Sequence, residues 1–279
     1  MQRTDTVKRT NRFADTLRNG IAAVIATLLP VLSSVTGTAY ADVAQLTFAT
    51  IAHSVNSQIS FQVIREAYKQ LDIEVDADYL PASRSLMMAA KGQYDGELYR
   101  IAGISEDYPH LLQVPTPVNR VEVVAFCRSA GDHDMSLEAL RNYRLGVRRG
   151  VRFNVLLPLT ETTQRVDSNR QLFNMLEKSR IDIALVARAN GLQIIREMQI
   201  TDITALNPPL LNLNLYHYVH VRHKALIPEL NKVLQNMHLN GRIAQIREAY
   251  LAAISDRQTN SAHDVSSLFD GDTTLQIPE

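Results

Sequence analysis

The chain has 279 residues, 46% of them hydrophobic and 21% charged, and its 29 basic side chains balance 29 acidic ones. That is globular composition with ample material for a core, and the absence of a basic excess argues against a nucleic-acid partner. A single cysteine, Cys127, excludes an intramolecular disulfide; within the apolar run VEVVAFC it reads as a small buried hydrophobe.

Residues 1–41 read as a targeting segment. Arg3, Lys8, Arg9, Arg12 and Arg18 precede an apolar run from Ile21 to Val35, and Ala39-Tyr40-Ala41 supplies a small–x–small cleavage pattern. The alternative is an uncleaved anchor. Pro30, Ser33, Ser34 and Gly37 interrupt the run, however, and it falls short of the ~20 apolar residues of a spanning helix. The expectation is a cleaved signal peptide and a protein free in the periplasm.

Gln45–Thr50 reads as the first strand, and a helix follows from about Gln58 to Leu71 with Ile59, Val63, Ala67 and Leu71 on one face. Ile73–Leu80 alternates as a second strand. Pro81 opens a second helix, which stops at Gly92, a residue able to take the left-handed conformation. The stretch YDGELYRIAGISEDYP (94–109) then starts as a strand and runs into a loop rich in turn residues, expected to last to Pro117. The order β-α-β-α-β implies a parallel sheet with right-handed crossovers.

A long strand at 121–129 leads into a second unit: a short helix at Ser136–Arg141, a strand at Tyr143–Val147, the loop RRGVRFN and a strand at Gln164–Asp167. Ser168 and Gln171 form a possible capping box. Ile181–Ala187 reads as a strand buried on both faces. After Leu211 another long strand, NLNLYHYVHVRH, precedes a helix opened by Pro228 and ended by Gly241, and Arg242–Ala253 is a last helix. The polar composition from Ser255 onward predicts a disordered tail, residues 255–279.

Helix–Gly–x–Tyr–Asp–Gly–strand–Arg followed by a Tyr-Pro loop resembles extracellular solute-binding proteins of family 3, the amino-acid-type periplasmic binding proteins, and LNGRIAQIREAY resembles their C-terminal end. The resemblance implies an α/β, two-lobed periplasmic-binding-protein type 2 fold hinged on two crossing strands. Lobe 1 would hold residues 44–120 and 218–254, and lobe 2 residues 127–212. The crossers would lie near Val121–Phe126 and Leu213–Val219. One unbroken sheet, or a single crossing, would contradict that arrangement.

Arginines are the sharpest chemical feature. Arg84 starts the second helix and Arg100 ends the third strand, at the sheet edge where α/β folds bind ligands. A guanidinium holds a carboxylate through two parallel hydrogen bonds. The bland alternatives are a solvated helix residue for Arg84 and a structural ion pair with Glu97 or Glu106 for Arg100. The resemblance implies that an arginine near position 100 grips a ligand carboxylate, with Tyr99 and Glu97 beside it. It also implies that the loop at Gly150 offers further donors. Val151 stands where the family often has threonine, and Arg148, Arg149 and Arg152 are added around it. The family usually places an aspartate for the ligand ammonium after the strand ending at Ala187. Here Val186-Ala187-Arg188-Ala189-Asn190 holds no acid. Leaving an ammonium desolvated and unpaired costs several kcal/mol, so an anionic ligand is expected unless Asp95, Glu97 or a tyrosine cage substitutes.

His217, His220 and His223 alternate along a strand so that three ligands cannot converge; they read as surface or hinge residues. Met87 and Met88 read as core and cleft wall. No cofactor or nucleophile motif is present. The leading function is a monomeric binding protein that delivers a small anionic or polar ligand to an ABC transporter permease or a membrane sensor. A periplasmic dehydratase or lyase on the same fold is the alternative, to be recognised by a burial-perturbed acid beside the ligand. A third reading is an adaptor with a filled cleft.

Overall fold

The computed structural model describes residues 44–128 and 136–267; the expected leader lies outside them. Strand β1 (Ala44–Ile51) leads to helix α1 (Val55–Lys69), which buries the Ile59, Val63 and Ala67 stripe. Strand β2 (Ile73–Leu80) pairs parallel with β1 along its length. Pro81 precedes helix α2 (Ala82–Ala90), and Gly92 follows it with φ +74°, left-handed backbone that glycine adopts without a Cβ penalty. Strand β3 (Gly96–Arg100) lies parallel on the other side of β1, so the expected parallel sheet forms in the order β2-β1-β3.

After α3 (Ile104–Asp107), strand β4 runs from Leu111 to Cys127. The loop expected through Pro117 is therefore mostly strand. Pro115 and Pro117 fall at register shifts between Gln113 and Asn119, where bulges interrupt the ladder and a missing N–H is tolerated.

The second unit begins with a 3₁₀ turn at Ala139–Asn142, where a short helix was expected, and strand β5 (Leu145–Arg148). A 3₁₀ turn at Arg152–Leu156, strand β6 (Gln164–Val166) and helix α4 (Asn169–Glu177) follow. Ser168 and Gln171 form the full reciprocal capping box of α4. Strand β7 (Ile183–Ala187) is buried throughout and runs directly into helix α5 (Arg188–Glu197), with the short strand β8 (Thr204–Ala205) beyond. Strand β9 (Leu211–His220) returns to the first unit, and helices α6 (Ile227–Leu239) and α7 (Arg242–Ser267) close the described chain. The tail expected from Ser255 thus begins as helix, because residues 255–267 contain no proline or glycine to stop one; residues 268–279 lie outside the described residues.

Both expected crossing strands are present, as β4 and β9. They pair antiparallel with each other from Leu111–His220 to Val123–Leu211, β9 also pairs with β3, and β4 with β7. The hydrogen bonding consequently runs unbroken as β2-β1-β3-β9-β4-β7-β5-β6. An unbroken sheet, the outcome contrary to the two-lobe arrangement expected from the sequence, is therefore what forms, because the crossers are partners of each other. The parallel ladders β2-β1-β3 and β7-β5-β6 nevertheless lie on opposite sides of the β9–β4 pair.

His217 corrects another expectation, since it lies wholly in the core. Its Nδ1 is 3.0 Å from the Leu98 carbonyl, its Nε2 is 3.1 Å from the Tyr68 hydroxyl, and its ring meets Phe48 edge-on. Burial lowers its pKa to about 4, which keeps it neutral. His220 ends β9 and His223 sits in the 3₁₀ turn that follows, so the three rings do not share a strand. Among the described residues no histidine, cysteine or carboxylate cluster fits a metal ion.

Gly96 fixes the base of β3. A Cβ there would overlap the carbonyl oxygen of Tyr218 on β9. Gly96→Ala should therefore cost ~1–3 kcal/mol by forcing the two backbones apart. Chemical denaturation reads this, and an unchanged midpoint would contradict the pairing.

Candidate functional site

The carboxyl ends of β1 and β3 face those of β5 and β7 across the β4–β9 pair. Ser54, Tyr99 and Arg100 from one side and Arg148, Phe153 and Asn190 from the other line a cavity of about 50 Å³. No carboxylate is among its lining residues.

Arg100 is only 2% exposed. Its Nε donates to Glu97 Oε1 at 2.8 Å and its Nη2 to the Ala82 carbonyl at 2.8 Å, while Nη1 has no partner. Glu97, fully buried, also accepts from Ser85 Oγ at 2.6 Å. Burial pushes the Glu97 carboxyl up to about 7, against the pull of Arg100 and Ser85. The structural ion pair weighed from the sequence is thus present, with Glu97 and not Glu106 as partner. It also immobilises the guanidinium with one nitrogen unused.

Arg148 closes the cavity from the other side. It is 8% exposed and its Nη2 donates to the Ala52 carbonyl at 3.1 Å. Among the described residues it has no carboxylate partner, and burial, with Arg100 acting the same way, lowers its pKa. Two buried guanidinium groups therefore share one cavity that has no carboxylate among its lining residues, Glu97 being the ion-pair partner of Arg100.

Further bonds tie the two sides together. Asn190 Oδ1 accepts from the Val55 amide at 2.8 Å, and Arg152, a lining residue, pairs with Asp107. Asn190, in the acid-free stretch after β7, thus spends its side chain on the start of α1, its Nδ2 lying 3.5 Å from Ser54 Oγ. Gly150, at φ +75°, sits so close to α2 that a Cβ would overlap Ser83 Oγ, so only glycine allows this approach. Tyr99 presents its hydroxyl 3.0 Å from Ser54 Oγ, and burial raises its pKa.

Several expected site residues lie elsewhere. Arg84 is exposed, is not among the lining residues, and turns its Nε to Met88 Sδ at 3.3 Å. Arg149 is exposed and donates to the Arg165 carbonyl, with Asp167 3.5 Å away. Asp95 is held at the opposite end of β3 by the Thr47 amide, Arg222 and His223, so it cannot serve a ligand at the carboxyl edge. Met87 is exposed and not core. No sequence signal marks Ser54, Phe153 and Asn190, which lie in a loop, in a 3₁₀ turn and on a helix without an apolar stripe, respectively.

No protein-family model matches the chain. An uncharacterized protein of Shewanella oneidensis is 25% identical over 220 residues, which span 73% of this chain and 80% of the relative. Two solved structures overlay closely. A histidine kinase sensor domain with similarity to periplasmic binding proteins is 16% identical, with 74% of this chain and 96% of that one covered at a TM-score of 0.64. The amino acid ABC transporter substrate-binding protein AbpA of Streptococcus pneumoniae, bound to L-arginine, is 13% identical, with 75% and 95% covered at 0.62. The chain has the periplasmic-binding-protein type 2 fold. The resemblance found in the sequence therefore holds at the level of fold.

Proposed function

We propose that the protein is an extracytoplasmic solute-binding protein whose lobes close over a small carboxylate-bearing ligand, gripped by Arg100 from lobe 1 and Arg148 from lobe 2. The observation that carries this reading is Arg148, a buried arginine with no carboxylate of its own in a cavity that lacks acids. A buried charge without a counter-charge costs several kcal/mol, and a ligand carboxylate removes that cost on binding. The unbonded Nη1 of Arg100 offers a second donor. Sites of this kind form at domain interfaces, and closure of two lobes about a hinge is a recurrent motion.

The lobes are taken as residues 44–120 with 218–254, and 127–212. The leader is cut after Ala41 and the mature protein works in the periplasm; no helix among the described residues is long and apolar enough to cross a membrane. The similar structures include a sensor domain and a transporter component, and the receiver of this ligand is a membrane protein of one of those two kinds.

One observation bears on the enzyme alternative. Glu97 has the shifted acidity that a catalytic acid needs, yet it does not line the cavity and both its oxygens are engaged. Its role is to position Arg100. Although AbpA holds L-arginine, this cavity has no acid for a cationic ligand.

A thermal-shift screen of the purified protein against short monocarboxylates, dicarboxylates and α-amino acids tests the proposal. A ligand at 100 times its dissociation constant stabilises by about 2.7 kcal/mol. Short carboxylates should give that shift, whereas a shift from lysine or arginine alone would overturn the reading.

A further inference from the structure

A second cavity, of about 340 Å³, lies behind the ligand cleft between β4, α5 and α7. Asn56, Val121 and Ala187 line both cavities and form the wall between them. Arg120, Arg188, Arg196 and Arg247 line the second one against Glu122 and Glu248, which leaves two positive charges in excess.

Those charges are unequally engaged. Arg188 pairs with Glu122 at 2.7 Å. Arg247, half-buried, donates to Asn119 Oδ1 at 3.1 Å and to the Arg120 carbonyl at 3.2 Å, both of them neutral acceptors. Burial and the nearby Arg120 lower its pKa, against the opposing pull of Glu122 and Glu248. Arg120 and Arg196 are exposed, and among the described residues neither has an ion-pair partner. A concave, partly apolar site of this size is in the range that takes small molecules, and guanidinium groups converging from two sides favour phosphate or carboxylate oxygens.

We propose that this hinge-side cavity is a second binding site, for a small polyanion bearing at least two negative charges as phosphate or carboxylate groups. It shares no arginine with the ligand cleft and does not rest on the carboxylate reading above. Arg247 supplies the desolvated contact, and Arg120 and Arg196 the outer ones.

Titration calorimetry of the purified protein with citrate and with inorganic pyrophosphate tests this, with sodium chloride at matched ionic strength as the control for screening. At least one of the two should bind, and the better one identifies the favoured acid group. The double variant Arg120→Gln/Arg196→Gln, at exposed positions that leave the fold intact, should weaken it at least ~10-fold. Arg148→Gln should leave it unchanged. The proposal fails if neither polyanion binds, if the double variant binds as tightly as the wild type, or if Arg148→Gln abolishes the binding, which would place the anion in the front cleft.

Discussion

Replacing Arg100 by methionine should destabilise the protein by ~3–5 kcal/mol at pH 8, the usual cost of removing one partner from a buried pair. That is a large part of the ~5–15 kcal/mol that holds a domain folded. The reason is Glu97, fully buried, for which Arg100 is the counter-charge. The penalty should also depend on pH. Glu97 titrates near 7 in the folded protein against an ordinary 4.5, so the folded state keeps the proton longer than the unfolded one. Its contribution is fully present below pH 4.5 and is lost as pH rises through 7. Without Arg100 the carboxylate is costlier still, so the loss deepens at alkaline pH and shrinks toward pH 5, where Glu97 is protonated in the fold. Denaturation at both pH values measures this, and Glu97→Gln added to Arg100→Met should recover most of the loss at pH 8. A penalty that ignores pH and is not repaired by the second substitution would contradict the pairing.

Arg148→Gln should behave in the opposite way. Arg148 has no acid partner, so its removal relieves a desolvated charge, and the unliganded variant should be as stable as the wild type or more so. It should nevertheless lose at least ~30-fold in carboxylate affinity, within the ~2–5 kcal/mol typical of truncating a buried charge pair. Thermal melts with and without ligand separate the two effects. A variant that is less stable alone and still shifted by ligand would assign Arg148 to the fold and not to the site.

The contrast between these arginines shows what the sequence can and cannot carry. Apolar stripes at four-residue spacing, Pro81, Gly92 and the Ser168–Gln171 box are local signals, and each marks the element it should. The place of Arg100 at the cavity was legible because it ends a short strand before a turn. The choice between Arg148 and Arg149 was not, because adjacent residues at a strand end point to opposite faces and only the packing of β5 decides which one is inward. Arg84 failed for a similar reason: α2 buries Ala82, Ser85, Leu86 and Ala89, which puts Arg84 on the outer side. Helix α5 buries only Gly191 and so has no apolar period to find. The length of β4 was hidden by prolines that its bulges accommodate. His217 was misplaced because β9 is covered on both faces there, which alternation along one strand does not reveal.

If the cleft binds a negative charge, an acid and its own amide must bind differently, and that comparison is the most direct test. Titration calorimetry of the wild-type protein should be run with the best short carboxylate of the screen and with the corresponding neutral amide, at one ionic strength. The acid should bind and the amide should lose at least ~30-fold, since the two differ in the charge that Arg100 and Arg148 are proposed to meet. Equal binding of acid and amide would contradict the account.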